Sequence, residues 1–533
     1  MPTITHMPSP AAQQRVFDRL NAPVKNRDDI LRLFVTDLGF DRVEQPIPAR
    51  EDTFGRGQAL DLAKQCRPLR LAGHDGFQII YAELEGDRLD YTRQRILATK
   101  LLETFPDALF IFARKDTLDR PEGAEMHIVN VKSGADGSRR VFRRFKLGPG
   151  ERYRTASERL ALLDITETPD ICPLDLRHRL DAAFDVEAVT KRFFEDYKQV
   201  FANLQARLYK VSKDNVWAHD YALQLLNRMM FLYFIQRKRW LGGNPSFIAD
   251  FWRAYKDQRQ PKDSFFDRWL KVLFFEAFNK KFHGGHRHFP DDIRAALAQA
   301  PYLNGGLFTE NRLDDAHDPE LTDDFFTLLF DQFDGSEPGF LERYNFTIAE
   351  STPLDMEVAV DPEMIGKVYE SLVNITSEGL TEDDLRGTAG IFYTPRVEID
   401  LMCRLSLADA LANRIGTDHK PLLYDVIFAY DPADKEAADR ALADRNLWPE
   451  LNRHLRDVTV CDPACGSGSF LVGMLLVLDD LQARANTQLG LDETPYERRR
   501  RIIGEQLYGV DVMDWAVHVA ELRLWLQLVV ETE

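Results

Sequence analysis

Apolar residues in DYTRQRILATKLLETF (Asp90 to Phe105) recur with the 3.6-residue period of a helix. The run before it, FQIIYAELE (Phe77 to Glu85), is rich in β-forming residues and predicts a strand ending among acids. ALFIFARK (Ala108 to Lys115) and MHIVNVK (Met126 to Lys132) predict two more strands, separated by the turn-rich DTLDRPEGAE. With an opening helical stretch over Ala11 to Leu38, residues 1–165 predict a mixed α/β domain whose boundary falls near Glu167 to Asp175. Residues 176–385 turn helical. There YALQLLNRMMFLYFIQRKRW (Tyr221 to Trp240) is apolar almost all round in its second half, so that helix should be buried, and Leu241 to Pro245 should stop it. Residues 386–533 change again: a helix from about Arg396, a polar stretch over Asp418 to Asp457, then two strand-then-helix units, DVTVCDPACGSGSFLVGMLLVLDDL and QLYGVDVMDWAVHVAELRLWLQLV. Such alternation predicts the start of a parallel, doubly wound sheet.

At 533 residues the chain is long enough for several cores, and no fixed-period repeat suggests a solenoid. The longest apolar run, Phe470 to Leu478, is too short to span a bilayer, and the first twenty residues lack the apolar core of a signal peptide. Five cysteines without a C-x-x-C pair fit a reducing cytoplasm. A net charge of −18 argues against a simple nucleic-acid coat but leaves room for a local basic groove. The candidate for such a groove is Arg139 to Arg154, with Arg139, Arg140, Arg143 and Arg144 at its head; a DNA backbone contact and a plain structural role stand level there.

The sharpest chemical signal is Asp462-Pro463-Ala464-Cys465-Gly466-Ser467-Gly468-Ser469-Phe470, where a strand (Val458 to Cys461) meets a helix. Ligands of open α/β sheets bind at such carboxyl ends. Gly466 and Gly468 would let backbone approach a ligand closely. An acid at the strand end suits an ammonium group or hydroxyls and would repel a pyrophosphate. Tyr508-Gly509-Val510-Asp511-Val512 ends the next strand, and its carboxylate could accept both hydroxyls of a ribose. In Gly390-Ile391-Phe392-Tyr393-Thr394-Pro395, Thr394 reads as a helix cap with Pro395 in the first turn, leaving backbone amides for a carboxylate. Each motif alone has a plain alternative, as a tight turn, a strand end or a helix cap.

Taken in this order, the three motifs resemble the adenine-specific DNA methyltransferases of the γ arrangement, above all those of type IIG restriction–modification enzymes, with related methylases in the BREX and DISARM phage-defence systems. FLYFIQRKRWLGG, YLNGGLF and YNFTIAESTPLDMEVAVDPEMIGKVYESL resemble the helical connector of that family, so the likeness runs from about residue 215 to 533. It implies S-adenosylmethionine (SAM) as cofactor and double-stranded DNA as partner. Thr394, between Tyr393 and Pro395, would hold the methionine carboxylate, and Asp462 would face its ammonium group. Asp511, followed by Val512, would take the ribose, with the loop through Ala464, Gly466, Gly468 and Phe470 lying along the cofactor.

The family pattern then breaks off. Methylation in that family needs an Asn/Asp-Pro-Pro-aromatic motif downstream of these strands, and the chain as written reaches Glu533 without one. Asn244-Pro245-Ser246-Phe247 lacks the second proline and lies upstream, so no catalytic residue is assigned. The expected architecture is therefore a nuclease-like α/β domain over 1–165, a helical connector over 176–385, and the first half of a Rossmann-like SAM-dependent methyltransferase domain over 386–533. In the nuclease family the first domain resembles, Glu-x-Lys marks the site; here no lysine stands two after Glu83 or Glu85, which predicts a degenerate site. The His283, His286 and His288 set has too few further ligands for zinc, Arg498 to Arg501 reads as a phosphate contact or a solvated helix face, and Cys465 reads as a space-filler. Three functions stay open: the SAM-binding part of a DNA adenine methyltransferase that is inactive alone, a non-catalytic SAM-binding and DNA-contacting module completed by another chain, and a nuclease with a SAM-sensing remnant.

Overall fold

The computed structural model describes residues 8–133, 140–258, 260–303, 306–330, 338–348, 354–372 and 394–530. It divides into two compact units. The first comprises Met1–Glu195, Leu329–Asn345 and Leu354–Val360; the second comprises Asp196–Leu328, Phe346–Pro353 and Asp361–Glu533. The chain thus leaves the first unit at Glu195, beyond the Glu167 to Asp175 boundary read from the sequence.

In the first unit seven strands form one mixed sheet in chain order: β1 (Asp41–Pro46), β2 (Leu69–His74), β3 (Phe77–Leu84), β4 (Ala108–Arg114), β5 (Met126–Ser133), β6 (Arg140–Leu147) and β7 (Asp355–Glu357). β3 and β4 run parallel, from Gln78 beside Ala108 to Leu84 beside Arg114. A parallel pair needs a crossover, and the helix Tyr91–Thr104 supplies it. Asp90 starts that helix by accepting the Arg93 amide at 2.8 Å. β3 and β4 bury all but one position each, which explains why both read as nearly continuous apolar runs. The opening stretch is not one helix: Pro10–Asn21 and Arg27–Arg32 are separate. Pro23 disfavours helical geometry at Ala22, and the Asn26 side chain caps the second helix through the Asp28 and Asp29 amides.

The head of the basic stretch forms strand β6, and the charges of Arg144 and Lys146 are paired inside the sheet. Arg144 is 0% exposed, lies 3.5 Å over the Tyr91 ring and is ion-paired with Asp355 of β7. Lys146 meets Glu357 at 2.6 Å; burial alone would lower its ammonium, but Glu357 holds it above the ordinary lysine value. Arg140 donates to the Thr99 carbonyl at 3.1 Å, and Arg143 is half-buried. Arg144 therefore has no surface to offer a phosphate, contrary to the sequence reading. Arg139 lies outside the described residues.

In the second unit the helix Asn215–Arg237 buries every residue from Tyr221 to Gln236 except Gln224, as its all-round apolar pattern requires. Farther along, the helix Arg396–Ile415 packs on the helix Ser469–Leu489. A Cβ at Gly473 would lie 2.5 Å from Ile399, so only glycine permits the approach. β8 (Val460–Asp462) and β9 (Leu507–Gly509) form a parallel pair. Buried Gln506 pins them by donating to the Leu455 and Val458 carbonyls, each at 2.8 Å. Among the described residues no helix is long and apolar enough to cross a membrane.

Candidate functional site

β8 and β9 end side by side, and their loops are tied to each other. Val510 N–H donates to the Asp462 carbonyl at 2.9 Å, and Cys465 N–H to the Val510 carbonyl at 3.0 Å. Asp511 then closes the pair, accepting Gly466 N–H on Oδ2 at 2.9 Å and Met513 N–H on Oδ1 at 3.0 Å. Asp462 Oδ1 accepts Ala464 N–H at 3.2 Å, while its Oδ2 is buried without a hydrogen-bond partner among the described residues. Leaving a buried carboxylate oxygen unpaired is costly, so this atom retains the capacity to accept a further donor. The motifs around Asp462 and Asp511, 49 positions apart in number, thus form one constellation.

Two glycines allow the loop to take this shape. Gly466 has φ +50° and Gly468 φ +84°, and a Cβ at Gly468 would lie 2.8 Å from that of Ala520. The helix Ser469–Leu489 follows, with Phe470 half-buried at its start. Cys465 is nearly buried; desolvation first, then the charges of Asp462 and Asp511, push its thiol up to about 11, which leaves it protonated and unreactive. Ala464 is exposed on the loop, and Val512 is 95% exposed beside Asp511.

Thr394 does not cap the following helix. Pro395 occupies the cap position with φ −59° and ψ 150°, and no side chain among the described residues caps the helix amides. The proline ring sets that extended geometry and shifts the helix start to Arg396, whose guanidinium is ion-paired with Asp361 and Glu363. Tyr393 lies outside the described residues.

Residues 436–531 match the family described as MmeI, DNA-methyltransferase domain. A putative type II restriction enzyme and methyltransferase of Methanocaldococcus jannaschii is 30% identical over 319 residues, spanning 58% of this chain and 25% of that protein. DNA methyltransferase A of Bacillus subtilis is 23% identical over 236 residues, 44% of this chain and 21% of that protein. The chain thus spans about a quarter of the length of these relatives. The type IIL restriction–modification enzyme MmeI, solved in complex with DNA, aligns at 16% identity with a TM-score of 0.35, over 64% of this chain and 36% of that one. The matched segment is therefore similar to a DNA-methyltransferase domain, and the two relatives are named as methyltransferases, one of them also as a restriction enzyme. The match includes both Asp462 and Asp511.

Within this matched segment the structure adds residues that motif reading missed. Arg523 is 1% exposed and donates to the Ser467 carbonyl at 2.8 Å, Ser467 Oγ at 3.2 Å and Ser469 Oγ at 3.0 Å, bracing the loop. Its signal was a lone arginine in the apolar run ELRLWLQLVV. Gly366 of the helix Glu363–Leu372 comes so close that a Cβ there would lie 2.4 Å from Ser467 Oγ. Of the arginine run, Arg498, Arg499 and Arg501 are held by carboxylates of the same unit, and Arg500 is exposed on the helix face. Arg498 and Arg499 donate to Asp479 at 2.6 and 2.8 Å, and Arg501 meets Glu493 at 2.9 Å.

The other candidates resolve more quietly. Asn244 accepts Ser246 N–H and donates to Asp250, each at 2.8 Å, so it shapes a turn. His286 meets Glu276 at 2.8 Å, His288 binds the Arg268 carbonyl, and no metal-holding group of acids, histidines and cysteines exists among the described residues. At the end of β3, Glu83 accepts from the Tyr81 hydroxyl at 3.2 Å and Glu85 meets Lys115 at 2.8 Å. A lysine thus does approach these acids, from beyond β4 instead of from β3 itself.

Proposed function

We propose that the second unit carries the SAM-binding part of a DNA adenine methyltransferase from a restriction–modification or phage-defence system. The observation that carries this reading is the orphaned Asp462 Oδ2 beside the Asp511–Gly466 bond, within the DNA-methyltransferase segment. The donor set suits the cofactor. Asp462 is an acceptor for an ammonium group, the uncapped amides after Pro395 are donors for a carboxylate, and Asp511 retains lone pairs for ribose hydroxyls beyond those given to Gly466 and Met513. SAM, when bound, supplies an electrophilic methyl group. The chain's own residues orient it: Asp511 holds the two loops at a fixed spacing, and Arg523 braces Ser467 behind them.

Placing the target amine is a separate task. In our reading it falls to a segment bearing the Asn/Asp-Pro-Pro-aromatic motif, and residues 1–533 bind the methyl donor without placing the amine. The partner is double-stranded DNA. In the first unit the contact falls to Arg140 and Arg143, since Arg144 is buried. The test is tritiated methyl transfer from SAM to mixed-sequence DNA, with and without such a segment added in trans. Label in N6-methyladenine only when both pieces are present is the expected result. Incorporation by this chain alone, or label in cytosine, overturns the proposal.

A further inference from the structure

The ion pairs at the start of the helix Arg396–Ile415 do more than fasten that helix. Arg396 stands at its first position and is paired with both Asp361 and Glu363. Glu363 in turn begins the helix Glu363–Leu372 and meets Lys367, one turn on, at 3.2 Å. The Arg396 and Asp361 side chains are each 14% exposed and that of Glu363 5%. Charges so far withdrawn from water are weakly screened, so the fork of Arg396 is a firm joint between the two helices. Within this cluster two acids face two cations.

The same helix also reaches the cofactor loop. Gly366 lies three residues after Glu363, on the same face and about 4.5 Å farther along the axis. It sits so close to Ser467 that no side chain would fit: a Cβ there would lie 2.8 Å from that of Ser467 and 3.3 Å from Arg523 Nη1. Ser467 is 2% exposed and its carbonyl is held by Arg523, so the loop is fixed where the glycine meets it. One face of one short helix therefore grips two parts of the candidate site. Through Glu363 it holds the helix start that follows Pro395, and through Gly366 the loop that follows Asp462. In the SAM reading these parts receive the carboxylate and the ammonium group of the same amino acid.

We infer that Arg396 is a positioning residue for the amino-acid end of the cofactor, and that its grip on Asp361 and Glu363 makes the site select nucleosides that carry an amino acid. The inference rests on the SAM-binding reading and adds to it a determinant of ligand choice. Two effects converge. The guanidinium fork can hold two carboxylates at once in a fixed geometry, which sets the spacing between the helix start and the loop; the point charge of a lysine cannot do so equally well. Removing the guanidinium also adds one net negative charge beside the amides after Pro395, where it opposes an arriving carboxylate. Arg396 thus acts through the helix start, not by touching the ligand.

The test is titration calorimetry of the full chain with two thioethers, S-adenosylhomocysteine and methylthioadenosine, which share the nucleoside and differ in the amino-acid end. Arg396→Gln should weaken binding of the first about tenfold or more and leave the second at the parent value. Arg396→Lys, which keeps the charge, should recover part of the loss. Circular dichroism checks folding; if Arg396→Gln does not fold, the same selective loss, smaller in size, is read in Arg396→Lys. A folded Arg396→Gln that binds both ligands like the parent, or loses both equally, overturns the inference and leaves the SAM reading standing, as does a Lys variant no better than the Gln variant. A parent that binds neither ligand overturns the SAM reading, and this inference with it.

Discussion

The seven-stranded sheet of the first unit and the β8–β9 pair of the second hold their shapes by different means. β3 and β4 are buried along almost their whole length, and β6 is fastened to β7 by buried ion pairs. In β8 and β9, by contrast, only Leu507 is buried, and Tyr508 and, just past β9, Val510 are 52% and 58% exposed. Burial of strands therefore cannot be what sets the loop geometry at the second sheet. A few polar contacts and close glycine approaches do so instead: Asp511 to Gly466, Arg523 to Ser467, and Gly468 against Ala520. Stability and ligand geometry should accordingly respond to different substitutions.

The largest effect should come from the first sheet. Asp355→Ala leaves Arg144 buried without its ion-pair partner and should cost about 3–5 kcal/mol of that unit's stability. Chemical denaturation should show the loss, while SAM affinity in the second unit stays at the parent value. A variant that lost SAM binding with its first unit still folded would break the contrast between the regions.

Gly468→Ala should show the reverse pattern. Its Cβ would meet Ala520 at 2.8 Å from a left-handed backbone, a strain of about 1–3 kcal/mol. SAM affinity should fall more than melting temperature does. Unchanged affinity would mean that the loop shape is not what the ligand reads.

These contrasts also show what could be read from the sequence. β3, β4 and the helix between them were legible because burial on both faces and a 3.6-residue period leave strong patterns. Asp462 and Asp511 were legible because strand ends place acids in recognisable contexts. Arg144 misled because one dimension cannot separate a basic surface from a basic strand whose partners, Asp355 and Glu357, lie more than 200 positions away. Thr394 misled by a single position, since Pro395 itself took the cap. Arg523 and Gly366 went unseen because their roles depend on helices meeting one loop, which no local pattern encodes.

A smaller effect is expected with pH. Burial would raise the Glu493 carboxyl, but hydrogen bonds from Asn486 and Arg501 and the charges of Arg501 and Arg456 outweigh it and hold it below its ordinary value. Such a group stabilises the fold above the unfolded glutamate value, about 4.3, and the contribution disappears as pH falls through the lower folded value. Melting temperature measured over that acid range should therefore fall less steeply in Glu493→Gln than in the parent. Parallel curves would remove Glu493 from the set of contacts that fasten the arginine run.

The central claim is that Asp462 and Asp511 form one SAM-binding constellation. Titration calorimetry of the full chain with SAM tests it most directly, comparing the parent with Asp462→Ala and Asp511→Ala. The account predicts saturable binding by the parent and a loss of at least about tenfold in each variant, with circular dichroism showing all three folded. Variants that bind SAM as well as the parent would contradict it.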